Sequence, residues 1–369
     1  MNRRRLLSAL SGLGLLPAVP ACAQEAEAQG LEGLLAQTAT PALAGAVFDD
    51  KGLRHIEFGG VRRKGQGAPV ARDEVWHLGS NTKAMTAALY GRLVDQGKAR
   101  WGATLGELFA GLTVDPGFAR QPVESLLGHR SGILDAPVMR GGYLLKAHAD
   151  TRPLAAQRAE LAASLLSKAP AGEAGAFAYS NLGYVLAGAA IERITGRSWE
   201  EVIAAELFKP LRMASAGFGA PKGENAWGHR AVLPAAPLLP VDPAGRADNP
   251  AVLGPAGTAH ANLADYGKFL RLFLTDGGGL LKPGTLQSLL VPAPGEGRPY
   301  ALGWGVSTPP WGQGPVLAHE GSNTMWHAVA IVAPGRKLAF VGLANGPPDA
   351  TKGAARSLAV QLRKRFAPD

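Results

Sequence analysis

Leu78-Gly79-Ser80-Asn81-Thr82-Lys83 is the stretch around which the chain is organised, and within it Ser80 and Lys83 stand three residues apart. Val75-Trp76-His77-Leu78 before it is apolar and β-prone. Ala84 to Gln96 after it is rich in helix formers and stops at Gly97, a residue suited to closing a helix in the left-handed conformation. The pattern puts Ser80 on the first turn of a helix, with Lys83 one turn along the same face. A serine hydroxyl attacks poorly until a neighbour takes its proton. A lysine can take it once its pKa falls from about 10.4. The helix N-terminus assists, because its partial positive charge disfavours an ammonium and favours an incoming oxyanion. A Ser-x-x-Lys spacing also arises by chance in long chains, so the reading needs support from elsewhere in the sequence.

Composition bounds the answer. At 369 residues and 46% hydrophobic, the chain can bury a large core in one big domain or two. Only 18% of residues are charged, which argues against disorder. The formal charge of +9 raises the question of nucleic acid. However, the basic residues are scattered, and no run is longer than Arg3-Arg4-Arg5, so nucleic-acid binding is not expected.

Residues 1–23 read as an export signal. Asn2-Arg3-Arg4-Arg5 is the charged region, Leu6 to Val19 the apolar stretch and Ala21-Cys22-Ala23 a small-residue cleavage site. The apolar stretch falls short of the roughly 20 residues that a spanning helix needs. Cys22 is the single cysteine. Either it becomes a lipidated first residue, since Val19-Pro20-Ala21-Cys22 is similar to a lipobox, or it leaves with the leader. The expected location is periplasmic or extracellular, free or anchored through Cys22. The mature chain then has no disulfide, and its stability must come from the core.

Residues 24–30 are a polar spacer. A helix is expected from Leu31 to Gln37. Asp49-Asp50-Lys51-Gly52 between two apolar runs marks a hairpin. Helical patterns dominate from Trp101 to Ala190, then over Leu182 to Thr195 and Trp199 to Phe208. Pro221 to Pro255 is Pro/Gly/Ala-rich with little periodicity, long enough for a loop bordering a site. A helix follows from Leu263 to Leu274, and strand patterns return near Leu302. His327 to Val332 pairs with Leu338 to Leu343, and a last helix runs from Thr351 to Phe366. The expected fold is α/β in the α+β sense: an antiparallel sheet built from both termini and flanked by helices, plus a mostly helical domain. The sheet domain is read over 31–100 and 256–369, and the helical domain, with the long loop, over 101–255.

Two further signals join the Ser80/Lys83 pair. Tyr179-Ser180-Asn181, the chain's only Tyr-x-Asn, sits on a short loop before the Leu182 helix, and His319-Glu320-Gly321 lies at a strand end. In this order they resemble the three signature elements of the serine β-lactamase/penicillin-binding-protein superfamily, in the class C branch that includes family VIII esterases and DD-peptidases. Leu126-Leu127-Gly128-His129-Arg130-Ser131-Gly132 resembles that branch's leucine-leucine-x-histidine-x-serine-glycine segment, and the likeness covers nearly the whole mature chain.

The resemblance implies a β-lactamase/transpeptidase-like fold and a role for each matching residue. Ser80 is the acylated nucleophile, Lys83 its proton acceptor and Tyr179 a general base and acid. Asn181 orients the substrate amide or carbonyl. His319, Glu320, Gly321 and Ser322 line the substrate, with the N–H groups of Ser80 and Ser322 forming the oxyanion hole. Bringing Tyr179 from pKa about 10 to about 7 takes roughly 4 kcal/mol. A helix terminus offers at most about 2 kcal/mol, so Lys83 must supply much of the rest.

The departure from the family pattern is His319-Glu320 where lactamases have lysine-threonine. An anionic Glu320 beside a neutral histidine would repel carboxylate-bearing substrates and favour ester, uncharged or amine-bearing ones; alternatively Glu320 points into solvent. The expected function is a monomeric, metal-free and cofactor-free serine hydrolase forming an acyl-enzyme with ester or amide bonds, carboxylesterase or DD-peptidase-like, on small acyl or peptidoglycan-like substrates. A class C-like β-lactamase is the alternative, and a non-turnover penicillin-binding sensor the alternative of another class. No Gly-x-Ser-x-Gly occurs, which disfavours an α/β-hydrolase, and Asn323 stands where His-Glu-x-x-His needs its second histidine. His129, His327, Ser131 and Ser180 read as structural. Trp227, Trp304 and Trp326 read as core or as walls of an acyl pocket.

Overall fold

The computed structural model describes residues 30–139, 142–231 and 236–369. The leader, Cys22 and all but the last residue of the spacer lie outside them. The chain opens with a helix, α1 (Gly30–Thr38), and then makes the expected hairpin of β1 (Ala42–Asp49) and β2 (Gly52–Gly60). Asp49 closes its turn by accepting the backbone N–H groups of Lys51 (2.8 Å) and Gly52 (3.0 Å). Five C-terminal strands join this hairpin: β3 (Tyr300–Ala301), β4 (Trp304–Ser307), β5 (Val316–Ser322), β6 (His327–Ala333) and β7 (Leu338–Ala344). The order is β2-β1-β7-β6-β5-β4-β3, antiparallel throughout, so the two ends of the chain share one sheet.

Period-2 alternation divides the central strands between two cores. Leu43, Val47, Val329, Ile331, Leu338 and Phe340 pack with α1 and the last helix, here α4 (Ala354–Phe366). Ala44, Ala46, Phe48, Ala328, Ala330, Val332, Val341 and Leu343 face the main core. Both faces are covered, which is why these strands read as nearly continuous apolar runs. Gly342 lets α4 lie close, since a β-carbon there would come within 2.0 Å of the Ala355 carbonyl.

On the main-core side lie two interior helices, α2 (Thr82–Asp95) and α3 (Asn181–Thr195). Thr82 to Gly91 and Leu182 to Glu192 are buried without interruption, as expected of helices surrounded by protein. Gly97 (φ +72°) and Gly196 (φ +68°) end them in the left-handed conformation. Trp199 to Phe208 is α-helical only to Ile203 and finishes in one π-helical turn. The stretch from Pro221 to Pro255 is more structured than its composition suggests. It contains a small hairpin of His229–Ala231 with Leu238–Pro240 and a 3₁₀ turn at Ala251–Leu253. Among the described residues no helix is long and apolar enough to cross a membrane.

Candidate active site

The N-termini of α2 and α3 and the end of β5 converge. Ser80 sits on a 3₁₀ turn, Gly79–Asn81, that leads into α2. Buried polar side chains clamp this turn. Asn81 Nδ2 donates to the carbonyls of Leu78 (3.0 Å) and Ala328 (3.2 Å), while Thr82 Oγ1 donates to Gly79 O (2.7 Å). Gly79 is held at φ +53°, and a β-carbon on it would lie 2.5 Å from Ser322 N. One on Gly321 would lie 2.1 Å from Leu78 O and 2.5 Å from Ser80 N. These two glycines let the turn and the strand interleave, so that the backbone N–H groups of Ser80 and Ser322 come from abutting segments.

Lys83 is fully buried, and its Nζ has three partners: Ser80 Oγ at 3.0 Å, Asn181 Oδ1 at 2.8 Å and Ala256 O at 2.7 Å. Burial lowers its pKa to about 7, against the opposing pull of Asp135, so near neutral pH a large share of it is uncharged amine. A neutral amine has two hydrogens and one lone pair. Asn181 Oδ1 and Ala256 O can only accept, so both hydrogens go to them and the lone pair is left facing Ser80 Oγ. That is the geometry of a base for the serine proton.

Asn181 is held in turn by Asp135, whose carboxylate sits over the start of α3. It accepts from Ser180 Oγ (3.0 Å), Asn181 N (3.0 Å), Asn181 Nδ2 (2.8 Å) and Leu182 N (3.1 Å). With Asp135 accepting on one side and Lys83 donating on the other, the orientation of the Asn181 amide is determined. Ser180 caps α3 through Gly183 N (3.1 Å), and His129 Nδ1 accepts from Ser180 N (3.1 Å). The His129 ring lies 4.3 Å from that of Tyr179. Its structural reading thus acquires a definite object, the Tyr179–Asn181 loop.

Tyr179 differs from expectation. Burial raises its pKa above the ordinary tyrosine value; the Ser80 hydroxyl offsets this in part, Asp135 adds to it and Arg298 opposes it. The phenol is therefore protonated in the resting site, with its Oη buried beside the Ser80 hydroxyl. Burial favours the uncharged form of both groups, lowering the amine's pKa and raising the phenol's, so of the two it is Lys83 that can accept a proton near neutral pH.

His319 faces the site and is buried. Its Nδ1 donates to Glu320 O (2.9 Å) and its Nε2 accepts from Tyr300 Oη (2.9 Å). Burial lowers its pKa to about 3, so it is neutral. Glu320 does not face the substrate, nor does it point freely into solvent. As the neighbour of His319 on a strand it projects from the opposite face. There it binds Arg356 of α4 at 2.6 and 2.8 Å and His327 of β6 at 3.1 Å. These partners hold its carboxyl at a pKa of about 2, although burial alone would raise it. Trp304 and Trp326 are fully buried and belong to the core. Trp227 lies at the surface side of the long loop, stacked under Arg63 at 3.8 Å.

Three residues that sequence reasoning passed over stand beside those it named: Asp135, Tyr300 and Asp248. Asp248 lies on the long loop, 2.9 Å from His77 Nε2. Each contact joins segments far apart in the chain, so no local spacing points to it.

The chain matches the family model described as Beta-lactamase over residues 25–363. It is 28% identical over 329 residues to Penicillin-binding protein 4 of Amycolatopsis lactamdurans, covering 83% of this chain and 81% of that protein. To Unguisins hydrolase ungD' of Aspergillus campestris it is 25% identical over 297 residues, 74% of this chain and 51% of that one. Among solved structures, the octameric penicillin-binding protein homologue from Pyrococcus abyssi superposes with a TM-score of 0.73 at 21% identity, over 94% of this chain and 79% of that one. The D-stereospecific amidohydrolase from Streptomyces sp. superposes with a TM-score of 0.72 at 23% identity, over 94% and 99%. These two structures share the β-lactamase/transpeptidase fold with this one. With the family model spanning nearly the whole described chain, the protein belongs to the beta-lactamase family, within the serine β-lactamase/penicillin-binding-protein superfamily.

Proposed function

We propose that this beta-lactamase-fold hydrolase is a serine hydrolase that acts on ester or amide bonds through an acyl-enzyme at Ser80. The observation that carries the reading is the set of three partners around Lys83 Nζ, two of which can only accept hydrogen bonds. Lys83 takes the Ser80 proton as Oγ bonds to the substrate carbonyl carbon. The N–H groups of Ser80 and Ser322 hold the resulting oxyanion, a service worth about 3–4 kcal/mol in comparable sites. As the tetrahedral intermediate collapses, Tyr179 gives its proton to the departing alkoxide or amine, and Lys83, now an ammonium, returns one to Tyr179. Water then cleaves the acyl-enzyme along the reverse route. The role expected of Tyr179 thereby narrows to that of acid in the first half-reaction.

Glu320 lies on the other face of the sheet, paired with Arg356, and so does not repel carboxylate-bearing substrates at Ser80. Arg298 contributes positive potential at both Tyr179 and His319. The proposal therefore keeps carboxylesters and D-amino-acid or peptidoglycan-like amides together as its substrate class. A panel of a p-nitrophenyl ester, D-amino-acid amides, a D-Ala-D-Ala peptide and a chromogenic cephalosporin tests it on wild type and Ser80→Ala. Steady turnover of an ester or amide that Ser80→Ala abolishes is the expected result. A burst of one product equivalent without turnover would replace the hydrolase by a sensor.

A further inference from the structure

The two arms of the oxyanion hole come from different segments, and each is tied, one residue away, to the same carboxylate. On the nucleophile side, Gly79 N–H donates to His77 Nδ1 (3.1 Å). An N–H can only donate, so Nδ1 is the acceptor, and the ring hydrogen sits on Nε2, 2.9 Å from Asp248. On the strand side, Asn323 Oδ1 accepts the N–H groups of Met325 and Trp326 (both 3.2 Å). This turns its Nδ2 to Asp248 Oδ1 (2.8 Å) and Ala247 O (3.3 Å). Asp248 Oδ1 also accepts from Asn249 N (2.7 Å). The His77 side chain is fully buried, and Asp248 retains only 10% side-chain exposure. Trp326 stacks on the His77 ring with 5.6 Å between centroids, so the histidine cannot swing away without disturbing the core.

We propose that Asp248 is the positioning residue of the oxyanion hole: one loop carboxylate sets Ser80 N–H through His77 and Gly79, and Ser322 N–H through Asn323. The proposal rests on the acyl-enzyme reading above. It assigns the long loop a task other than substrate contact. Oxyanion donors act only if their spacing is set before the charge develops. A shared anchor couples the two spacings, since moving the loop moves both arms.

The test uses the full chain with the ester that wild type turns over. Asp248→Asn keeps the shape but turns an NH₂ either to His77 or to Asn323 and Asn249, all of which donate, and Asp248→Ala removes the anchor. Both are expected to lower kcat by roughly 10- to 100-fold with KM nearly unchanged, because the loss falls on the transition state. A boronic acid that forms a tetrahedral adduct on Ser80 should weaken by a similar factor. Asn323→Ala should add little on top of Asp248→Ala, since both cut the same tie. Thermal melting separates misfolding from misplacement, and if the alanine variant fails to fold, the isosteric Asp248→Asn decides. Wild-type kcat and boronate affinity in a folded Asp248 variant, or a loss confined to KM, overturns the proposal while leaving the hydrolase intact. Turnover that Ser80→Ala does not abolish overturns the hydrolase reading, and the proposal falls with it.

Discussion

In the proposed mechanism Lys83 is the base because of what surrounds it, and each neighbour has a sign. Burial favours the amine, and Asp135 favours the ammonium. With a pKa of about 7, the competent neutral form accumulates as pH rises through neutrality. kcat/KM for an uncharged ester should therefore show an acid limb near pH 7 and a plateau above it, read from a pH–rate profile. Asp135→Asn removes the charge that favours the ammonium, so that limb should move to lower pH. The same change loosens Asn181 and lowers the plateau by roughly tenfold. An acid limb that stays in place in the variant would mean that Lys83 is not the titrating base. Ser80 and Lys83 stood out in the sequence by their spacing at a helix start, and Tyr179 and Asn181 by the family resemblance of the Tyr-x-Asn stretch. Asp135 did not, since it lies 46 residues before the amide that it holds.

At the scale of elements, β5 carries two different loads on its two faces. His319 and Gly321 face the nucleophile turn, whereas Glu320 ties the strand to α4 and β6. Strand alternation already contained this split: once His319 faces the site, its neighbour cannot. Reading both residues towards the substrate let a motif override a period. Glu320→Gln should therefore leave the ratio of cephalosporin to ester turnover unchanged and lower stability by about 1–3 kcal/mol, since a partly buried ion pair loses one partner. That is a drop of a few degrees in Tm. The folded carboxyl titrates at about 2 against an ordinary value of 4.5. Its contribution is thus fully present above pH about 4.5 and fades as pH falls towards 2. Melting curves of wild type and Glu320→Gln should converge in that window; a gap that persists at the lowest pH would assign the stability to packing instead.

Over the whole molecule, the fold brings Ser80, Tyr179 and His319 together from three distant stretches, the starts of α2 and α3 meeting the end of β5. The nearly continuous apolar runs of β1, β6 and β7, the Asp49–Gly52 turn and the glycine stops of α2 and α3 made most of this architecture readable in advance. The long loop resisted, because its order comes from contacts such as Asp248 with His77, 171 residues apart, rather than from periodicity. The proposed mechanism has this assembly convert Ser80 into a nucleophile that carries the acyl group. Rapid acid quench of wild type turning over a p-nitrophenyl ester, followed by peptide mass spectrometry, tests it most directly. The expected result is one acyl mass increment on the peptide containing Ser80, absent from Ser80→Ala. An adduct on another residue, or undiminished turnover by Ser80→Ala, would contradict the account.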